Sequence, residues 1–349
     1  MGIYEWHRIF SKEQIKKRIN DSYELPNRVV DLIPEPLVSV ITSTYQHAPY
    51  IKDCIEGVLM QKTTFPIEYI IGEDFSTDGT REIVFEYAKK YPNIIRVITA
   101  DYNVGGKSNS RRCHGACRGK YIALCEGDDY WIDPHKLQKQ VDSLERHSDC
   151  MLCFHGARIS KEGGSGSPSF YLTHKPKEFV SMEEILNNNF IANASVVYRR
   201  EILEKLPDWM ERFIFADWMR NLVCAQYGKI IYIDEVMSIY RVHPGGVWSS
   251  QHNSIKGKVN IYTENLEFYE AAANYLDKKY LCIIDKKRVN LYLAIASNYY
   301  KLDQKQKALE CLKQAMKVTF KSTGLTGSQK TRFIIKTLKY VLVAIFKIS

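Results

Sequence analysis

The sequence predicts an α/β protein with a mixed, mostly parallel, Rossmann-like sheet, helices on both faces and a C-terminal α-helical domain. Two observations lead to this fold class. Up to residue 125, short apolar runs alternate with helical patterns, which is typical of a parallel sheet covered by helices. Residues 255–320, in contrast, contain few glycines or prolines and favour helix throughout.

The first strands and helices are expected in strict alternation. Strands are predicted at residues 38–43, 67–72, 94–99 and 121–125, each an apolar run rich in strand-forming residues. The helices between them are marked by Ile51, Ile55 and Val58, by Ile83, Val84 and Tyr87, and by residues 107–118. Further along, the pattern predicts strands at 151–159 and 193–198, a helix ending at Gly228, and one or two strands over 229–241.

Three carboxylates, Glu126, Asp128 and Asp129, follow the fourth expected strand directly. Crowded carboxylates repel one another and need a counter-charge. Carboxylate oxygens are ligands that Mg²⁺ and Mn²⁺ prefer, and open α/β sheets bind ligands at the carboxyl ends of their strands. The cluster therefore predicts a divalent-cation site, with a solvated acidic turn as the alternative.

The segment Glu126-Gly127-Asp128-Asp129 resembles the acidic motif of family 2 glycosyltransferases, usually Asp-x-Asp-Asp, with Glu in its first position. Two earlier segments, Val-Ser-Val-Ile-Thr-Ser-Thr-Tyr from residue 38 and Glu-Asp-Phe-Ser-Thr-Asp-Gly-Thr from residue 73, resemble the family in order and spacing. The resemblance covers roughly residues 37–248. It implies the GT-A fold, a nucleotide-sugar donor, a divalent metal and an inverting transfer.

The resemblance also implies roles for single residues on the donor side. The family holds the nucleoside with its first loop and with the aspartate of its second loop, which assigns Thr44, Tyr45 and Asp74 to that task. Lys107 and Arg111 are candidates to contact the diphosphate, with plain solvent exposure as the alternative. Asp128 is assigned to both the donor and the metal.

Further family positions lie later in the chain. An acidic residue at a helix start is the family's catalytic base, which assigns that role to Asp217. An aspartate stabilised by the helix dipole is the alternative. Tyr240-Arg241-Val242-His243 also resembles a family motif, so Arg241 is assigned to the diphosphate and His243 to the metal. Trp131 and Trp209 are candidates to stack on sugar rings, with ordinary core packing as the alternative.

The net charge of +9 is concentrated at the C-terminal end. Residues 251–349 contain 18 Lys and Arg against 7 Asp and Glu, so the preceding residues are close to neutral. A basic tail favours an anionic partner. The last helical pattern has the apolar residues Ile334, Leu338, Val341, Leu342 and Ile345 on one face and the basic residues Arg332, Lys336 and Lys339 opposite. This amphipathic pattern predicts a peripheral contact with an anionic membrane, with packing on the helical domain as the alternative.

Cysteine usage and hydropathy bear on location. The nine cysteines are scattered without zinc-site spacing, which indicates reduced thiols in the cytosol. No stretch resembles a signal peptide or reaches the roughly 18 apolar residues of a membrane span. We expect a cytoplasmic protein that the basic tail can bring to the inner face of the cell membrane. Because the basic residues match no nucleic-acid-reading motif, we expect no nucleic-acid partner.

Three segments are predicted: an N-terminal lead-in over residues 1–36 with a helical pattern from residue 4 to 20, a GT-A domain over 37–250, and a helical domain over 251–349. The predicted function is a metal-dependent, hexosyltransferase-like inverting glycosyltransferase using Mn²⁺ or Mg²⁺. A UDP-sugar is the favoured donor, and a glycan or lipid-linked saccharide of bacterial surface polysaccharide is the acceptor. The alternatives are a nucleotidyltransferase acting on a sugar phosphate and a non-catalytic basic scaffold; the oligomeric state is left open.

Overall fold

The computed structural model describes residues 11–26, 35–162, 169–172, 175–207, 209–210, 213, 216–246 and 254–346, with side chains as far as residue 340. The chain forms two compact units. The first comprises residues 1–182 and 190–243, and the second comprises residues 183–189 and 244–349.

The first unit consists of one sheet and its covering helices. The strands are β1 (Tyr23–Glu24), β2 (Val38–Thr44), β3 (Ile67–Glu73), β4 (Ile95–Thr99), β5 (Tyr121–Leu124), β6 (Tyr130–Trp131), β7 (Cys150–Lys161), β8 (Ser169–Phe170), β9 (Phe179–Val180), β10 (Val197–Arg199) and β11 (Lys229–Val242). The helices are α1 (Lys12–Asn20), α2 (Ile51–Leu59), α3 (Thr80–Lys90), α4 (Gly106–Gly115), α5 (Lys136–Arg146) and α7 (Ala216–Tyr227), while α6 (Met182–Asn187) begins at the boundary between the units.

The sheet is mixed and is built around a parallel core. Its strand order is β1-β4-β3-β2-β5-β10-β7-β11-β6, with β8 paired to β7 and β9 paired to β11. Strands β4, β3, β2 and β5 run parallel to one another, and β11 runs parallel to β7. Strand β10 is antiparallel to both β5 and β7, so it joins the two parallel groups. The α/β fold class predicted from the alternation of patterns is confirmed.

The strands of the parallel core are buried on both faces because helices cover both sides. All five residues of β4 and all four of β5 are buried. The predicted inward face of α2 is present, since Ile51, Ile55 and Val58 are fully buried in the main core. Residues 193–198, expected as one strand, instead form a 3₁₀ turn (Asn193–Ser195) followed by β10. Asn193 uses its side chain there to contact Glu126, and this local turn replaces the expected extended backbone.

The second unit is helical. Its long helices are α8 (Ile255–Tyr275), α9 (Leu281–Lys301), α10 (Lys305–Lys321) and α11 (Gly327–Phe346). Ala296, Ala308 and Ala315 are buried between α9 and α10, where small side chains allow the two backbones to approach closely. Within the described residues, no helix has both the length and the apolar character that crossing a membrane requires.

Helix α11 distributes its apolar side chains over two faces. Phe333 and Tyr340 pack on the core of α9 and α10, and Thr337 between them is buried. Ile335 and Leu338, in contrast, are 52% and 49% exposed. The predicted apolar face combined Ile334 with Leu338, but the packed face is the one around Thr337. The side chains of Val341, Leu342 and Ile345 lie outside the described part of the helix.

Candidate active site

The loops that follow β2 and β3 meet at one edge of the sheet. Thr44 and Glu73, the last residues of these strands, are paired in register, and the Asp74 amide donates to the Thr44 carbonyl at 3.1 Å. Gln46 and Phe75 have φ values of 57° and 62°, a left-handed conformation that is uncommon for residues other than glycine. The Gln46 side-chain oxygen accepts the Thr77 N–H at 2.9 Å, which ties the two loops together.

Asp74 is fully buried at this edge and anchors a third loop. Its two carboxylate oxygens accept the backbone N–H groups of Val104 at 2.7 Å and of Gly105 at 3.0 Å. The Asn103 side chain donates to the Asp74 carbonyl at 3.1 Å. Gly105 has a φ of 86°, so a side chain would be strained at this position. Asp74, the residue predicted to bind the nucleoside, is therefore part of the loop structure.

Glu73 lies beside Asp74 and is equally well satisfied. It accepts the Ser76 N–H at 2.6 Å and the Thr99 hydroxyl at 3.1 Å, and it forms an ion pair with Arg81 at 3.1 Å. Arg112, one residue after the predicted Arg111, is buried and donates to the Glu73 carbonyl at 2.8 Å. Neither Arg81 nor Arg112 was predicted, since helix periodicity alone does not show which basic residue of a helix faces a buried acid.

The predicted diphosphate ligands on α4 occupy different environments. Lys107 lies in the first turn of the helix and is half-buried, whereas Arg111 is exposed. Arg112 is the basic residue of this helix that contacts the ends of β3. A phosphate contact by Lys107 or Arg111 stays a prediction.

The acidic cluster follows β5 through a tight turn at Gly127. The Gly127 amide donates to the Ser43 carbonyl at 3.1 Å, which holds the turn against the end of β2. A Cβ at residue 127 would lie 2.6 Å from the Thr44 hydroxyl oxygen and 2.7 Å from the His47 Nδ1 atom. Since both distances are too short for van der Waals contact, glycine is required here. Thr44, predicted to hold the nucleoside, therefore also forms one wall of the acidic turn.

Asp128 is in contact with two imidazoles. Its Oδ2 atom lies 3.2 Å from Nε2 of His243 and 4.0 Å from Nε2 of His47. Burial by itself would raise the pKa of Asp128, but the two neighbouring imidazoles lower it overall. Burial lowers the pKa of His47, although the charge of Asp128 acts in the opposite direction. His47 was not predicted, because nothing in its position after the first strand distinguishes it from a loop residue.

Asp129 and Glu126 carry charge that the protein does not fully compensate. Asp129 is buried, and its Oδ1 atom accepts the Arg241 N–H at 2.9 Å. Burial and the neighbouring carboxylates raise the pKa of Asp129. Burial, with Asp128 beside it, raises the pKa of Glu126 to about 7. One Glu126 oxygen accepts a hydrogen bond from Asn193, while the other, Oε2, is buried with no hydrogen-bond partner among the described residues.

The residues of this cluster suit a divalent cation in chemistry, although they are not gathered around one point. Among the described residues, no group of three or more His, Cys, Asp and Glu side chains is arranged to hold a metal ion. Asp128 and His243 instead contact each other. Carboxylate oxygen and neutral imidazole nitrogen are ligands for Mn²⁺, and Mg²⁺ is usually held by one or two carboxylates together with substrate phosphates. Asp128 and His243 fit that incomplete ligand set, and the unpartnered Glu126 oxygen marks unmet charge beside it.

Arg241 is bound within the protein. Its guanidinium donates to the Asp128 carbonyl at 3.2 Å, forms an ion pair with Asp53, and lies 4.3 Å from the centre of the Tyr130 ring. These contacts hold the backbone of the acidic cluster in place. The predicted contact between Arg241 and a diphosphate stays a prediction.

Asp217 lies in the first turn of α7 and is partly exposed. The rings of Tyr171 and Tyr240 contact each other edge to face with centres 5.3 Å apart. Burial raises the pKa of Tyr240, and Asp129, Asp128 and Asp217 all add to that effect through their charges. Tyr240 is therefore within electrostatic reach of both the acidic cluster and the predicted base.

Trp131 and Trp209, the two candidates to stack on sugar rings, have different contacts in the structure. Trp131 is 1% exposed, and its indole N–H donates to the Ala194 carbonyl at 2.8 Å. The alternative of core packing is thus correct for Trp131. Trp209 contacts the Phe213 ring edge to face, with centres 6.0 Å apart.

A mixed, mostly parallel sheet with helices on both faces and carboxylates at its strand ends has the architecture of the GT-A fold class. Solved structures support this fold. The S. aureus protein TarS (residues 1–349), in complex with UDP-GlcNAc, superposes with a TM-score of 0.58 at 17% identity, over 88% of this chain and 90% of TarS. The mannosyltransferase PcManGT from Pyrobaculum calidifontis, in complex with GDP-Man and Mn²⁺, gives a TM-score of 0.53 at 14% identity, over 99% and 95% of the two chains.

Sequence comparison gives the family. The model described as glycosyl transferase family 2 matches residues 39–207, a range that includes Thr44, Asp74 and the acidic cluster. An uncharacterized protein of Mycobacterium tuberculosis, Rv1520, is 37% identical over 233 residues, which is 67% of this chain and 64% of that protein's length. The putative teichuronic acid biosynthesis glycosyltransferase TuaG of Bacillus subtilis is 29% identical over 258 residues, covering 73% of this chain and 98% of TuaG. The chain belongs to glycosyltransferase family 2, which confirms the resemblance inferred from its motifs.

Proposed function

We propose that the chain is an inverting glycosyltransferase that moves a sugar from a nucleotide-sugar donor to a hydroxyl of a glycan or lipid-linked acceptor. The observation that carries this proposal is the acidic turn after β5, in which the charge of Glu126 and Asp129 is incompletely compensated. A divalent cation, bound together with the donor diphosphate, would supply the positive charge that such a turn requires. The loops after β2 and β3 lie beside this turn, where a nucleoside would be bound.

Each residue has a distinct task in this proposal. Thr44, Tyr45 and Asp74 bind the nucleoside, and Asp128 with His243 would hold the cation. When bound, a divalent cation neutralises the charge that develops on the leaving diphosphate. Asp217 accepts the proton of the acceptor hydroxyl while that oxygen forms a bond to the anomeric carbon. The bond from the anomeric carbon to the diphosphate breaks on the opposite side, so the nucleoside diphosphate leaves and the configuration is inverted.

Relatives guide the choice of substrates. TarS is described with UDP-GlcNAc and PcManGT with GDP-Man, and TuaG is named for teichuronic acid biosynthesis. We propose a UDP-sugar as the first donor to test, with a hexose as the transferred group. The acceptor would belong to a bacterial surface polysaccharide.

We also propose a peripheral membrane contact through α11. Ile335 and Leu338 expose apolar surface on this helix, and Lys336 and Lys339 are exposed between and beside them. An exposed apolar pair flanked by lysines suits the boundary between anionic headgroups and acyl chains. Such a contact would bring the protein to an acceptor carried on a lipid.

The test of the proposed function is hydrolysis and transfer assayed with a panel of UDP- and GDP-sugars, with Mn²⁺ or Mg²⁺ and with a chelator. The expected result is release of the nucleoside diphosphate that depends on the metal and is lost in the variant Asp128→Asn. Asp142→Asn is the matched control, because Asp142 is an exposed aspartate on α5. Release of pyrophosphate from a nucleoside triphosphate and a sugar phosphate would instead favour a nucleotidyltransferase and overturn the proposal.

A further inference from the structure

The N-terminal segment packs on the loop that Asp74 anchors. Helix α1 and strand β1 lie against residues 101–105, which lead into α4. We propose that this segment positions the loop of residues 101–105 and, through it, the nucleoside-binding Asp74, with Arg18 as the positioning residue that holds the loop in place. This inference rests on the proposed function, since it concerns how the donor site is held in place.

A chain of hydrogen bonds connects Arg18 to Asp74, the residue that follows β3. The Arg18 guanidinium donates to the Asn103 carbonyl at 3.0 Å. The Asn103 side chain donates to the Asp74 carbonyl at 3.1 Å, and the next two amides, of Val104 and Gly105, donate to the Asp74 carboxylate. Arg18 therefore holds the residue immediately before the two amides that orient the Asp74 carboxylate.

A second connection runs through the buried Arg112. Its guanidinium donates to the Glu73 carbonyl at 2.8 Å and to the Ser22 hydroxyl oxygen at 3.0 Å. The Ser22 hydroxyl in turn donates to the Arg18 carbonyl at 2.7 Å. The end of α1 is thus tied both to the loop before α4 and to the strand that ends in Glu73.

The N-terminal segment and the loop of residues 101–105 each donate a tyrosine hydrogen bond to the other. Tyr23 of β1 is paired with Thr99 of β4, and its hydroxyl donates to Asp101 at 2.8 Å. The Tyr102 hydroxyl donates to Asp21 at 2.6 Å in the opposite direction. Two reciprocal tyrosine–aspartate bonds between the same two segments indicate a fixed interface.

Loss of the contact between the N-terminal segment and residues 101–105 should weaken nucleotide binding and leave the chemical step unchanged. The segment contacts the loop of residues 101–105 and the end of β3, and none of its described contacts involves Asp128 or Asp217. If the loop is released, the amides of Val104 and Gly105 no longer hold the Asp74 carboxylate in one orientation. Preorganised polar groups of this kind lower the cost of ordering a site when its ligand binds.

The experiment compares the full-length variants Arg18→Ala and Arg18→Lys with the matched control Lys16→Ala, since Lys16 is an exposed basic residue on the same helix. Circular dichroism first establishes that each variant is folded. Calorimetry measures UDP and GDP affinity with Mn²⁺ present, amide exchange followed by mass spectrometry reports on residues 101–106, and kinetics separate KM from kcat.

We expect Arg18→Ala to weaken nucleotide affinity and raise the donor KM by about 5- to 10-fold, the effect of losing one charge-assisted hydrogen bond. Its kcat should stay within about twofold, because the chemical step is untouched. Exchange at residues 101–106 should be faster than in the wild type. Arg18→Lys should restore part of the affinity, and Lys16→Ala should match the wild type.

Two results would overturn the inference while leaving the proposed function intact. One is wild-type nucleotide affinity and unchanged amide exchange in Arg18→Ala. The other is a loss of kcat equal to the change in KM, which would indicate a general structural defect. A wild-type protein that binds neither UDP nor GDP would instead remove the proposed function on which the inference rests.

Discussion

Two acidic groups lie at strand ends of the same sheet, and they differ in how the protein satisfies their charge. The carboxylates of Glu73, the last residue of β3, and of Asp74, the next residue, accept four hydrogen bonds from N–H or O–H donors, and Glu73 also forms an ion pair with Arg81. Glu126 and Asp129, after β5, have raised pKa values, because burial and repulsion from the Asp128 carboxylate outweigh the hydrogen bonds they accept. The first pair is complete as a structural element. The second lacks a positive charge, and that contrast is the physical reason for placing a cation at one and a nucleoside at the other.

The largest expected effect is the loss of transfer on substitution of Asp128, in the acidic cluster after β5. Asp128→Asn should reduce transfer by about 10³-fold, the scale for loss of a group that stabilises transition-state charge. The variant should also bind UDP or GDP more weakly when Mn²⁺ is present, as calorimetry can measure. Equal nucleotide affinity of the wild type with and without Mn²⁺ would contradict the metal role of Asp128.

Asp74→Asn serves as the matched variant for this comparison. An amide offers only one acceptor oxygen to the two N–H groups of Val104 and Gly105, so the free energy of unfolding should fall by about 1–3 kcal/mol. Denaturant titration measures that change. Nucleotide affinity should drop by the same factor with and without Mn²⁺, in contrast to Asp128→Asn.

A smaller effect is expected at the predicted base. Asp217→Asn should leave donor binding unchanged and lower transfer by about 10²-fold, the usual scale for removing a general base. Single-turnover assays with a bound donor report the chemical step apart from binding. Transfer at nearly the wild-type rate would exclude Asp217 from the mechanism, while a parallel loss of donor affinity would indicate a structural role at the start of α7.

The pH dependence of stability and of Mn²⁺ affinity tests whether the Glu126 carboxylate lacks a compensating positive charge. Its pKa of about 7 in the folded protein lies above the ordinary glutamate value of 4.5, so between these two pH values the folded state holds a proton that the unfolded state releases. Stability of the metal-free protein should therefore fall as pH rises through this window. A bound cation requires the ionised form, so Mn²⁺ affinity should rise about tenfold from pH 6 to pH 8.

Calorimetry at the two pH values measures this change, and Glu126→Gln should reduce it. The same slope in the wild type and in Glu126→Gln would mean that another group binds the competing proton. His47 and His243, which flank Asp128, are the groups to substitute next in that case.

The sequence allowed prediction of features that depend on local pattern. The apolar runs of β2 to β5, the inward face of α2 and the acidic turn follow from residues close together in the chain. His47 and Arg112 could not be found in this way, because each gains its meaning from a partner on another element, Asp128 and the end of β3. The packed face of α11 could not be predicted either, because Thr337, a polar residue, lies at its centre.

The smallest expected effect concerns α11. This helix exposes basic and apolar side chains, in contrast to the acidic cluster after β5. Replacing Ile335 and Leu338 together by Glu should reduce co-sedimentation with anionic vesicles by about threefold, because apolar surface is lost and two negative charges face the lipid. The control, Gln306→Glu with Thr323→Glu, adds the same charge at exposed positions of the helical unit without removing apolar surface. Salt should weaken binding of the wild type, since screening acts on its electrostatic part. Equal co-sedimentation of the two double variants would mean that the exposed apolar pair does not contact lipid, and that net charge alone governs any attachment.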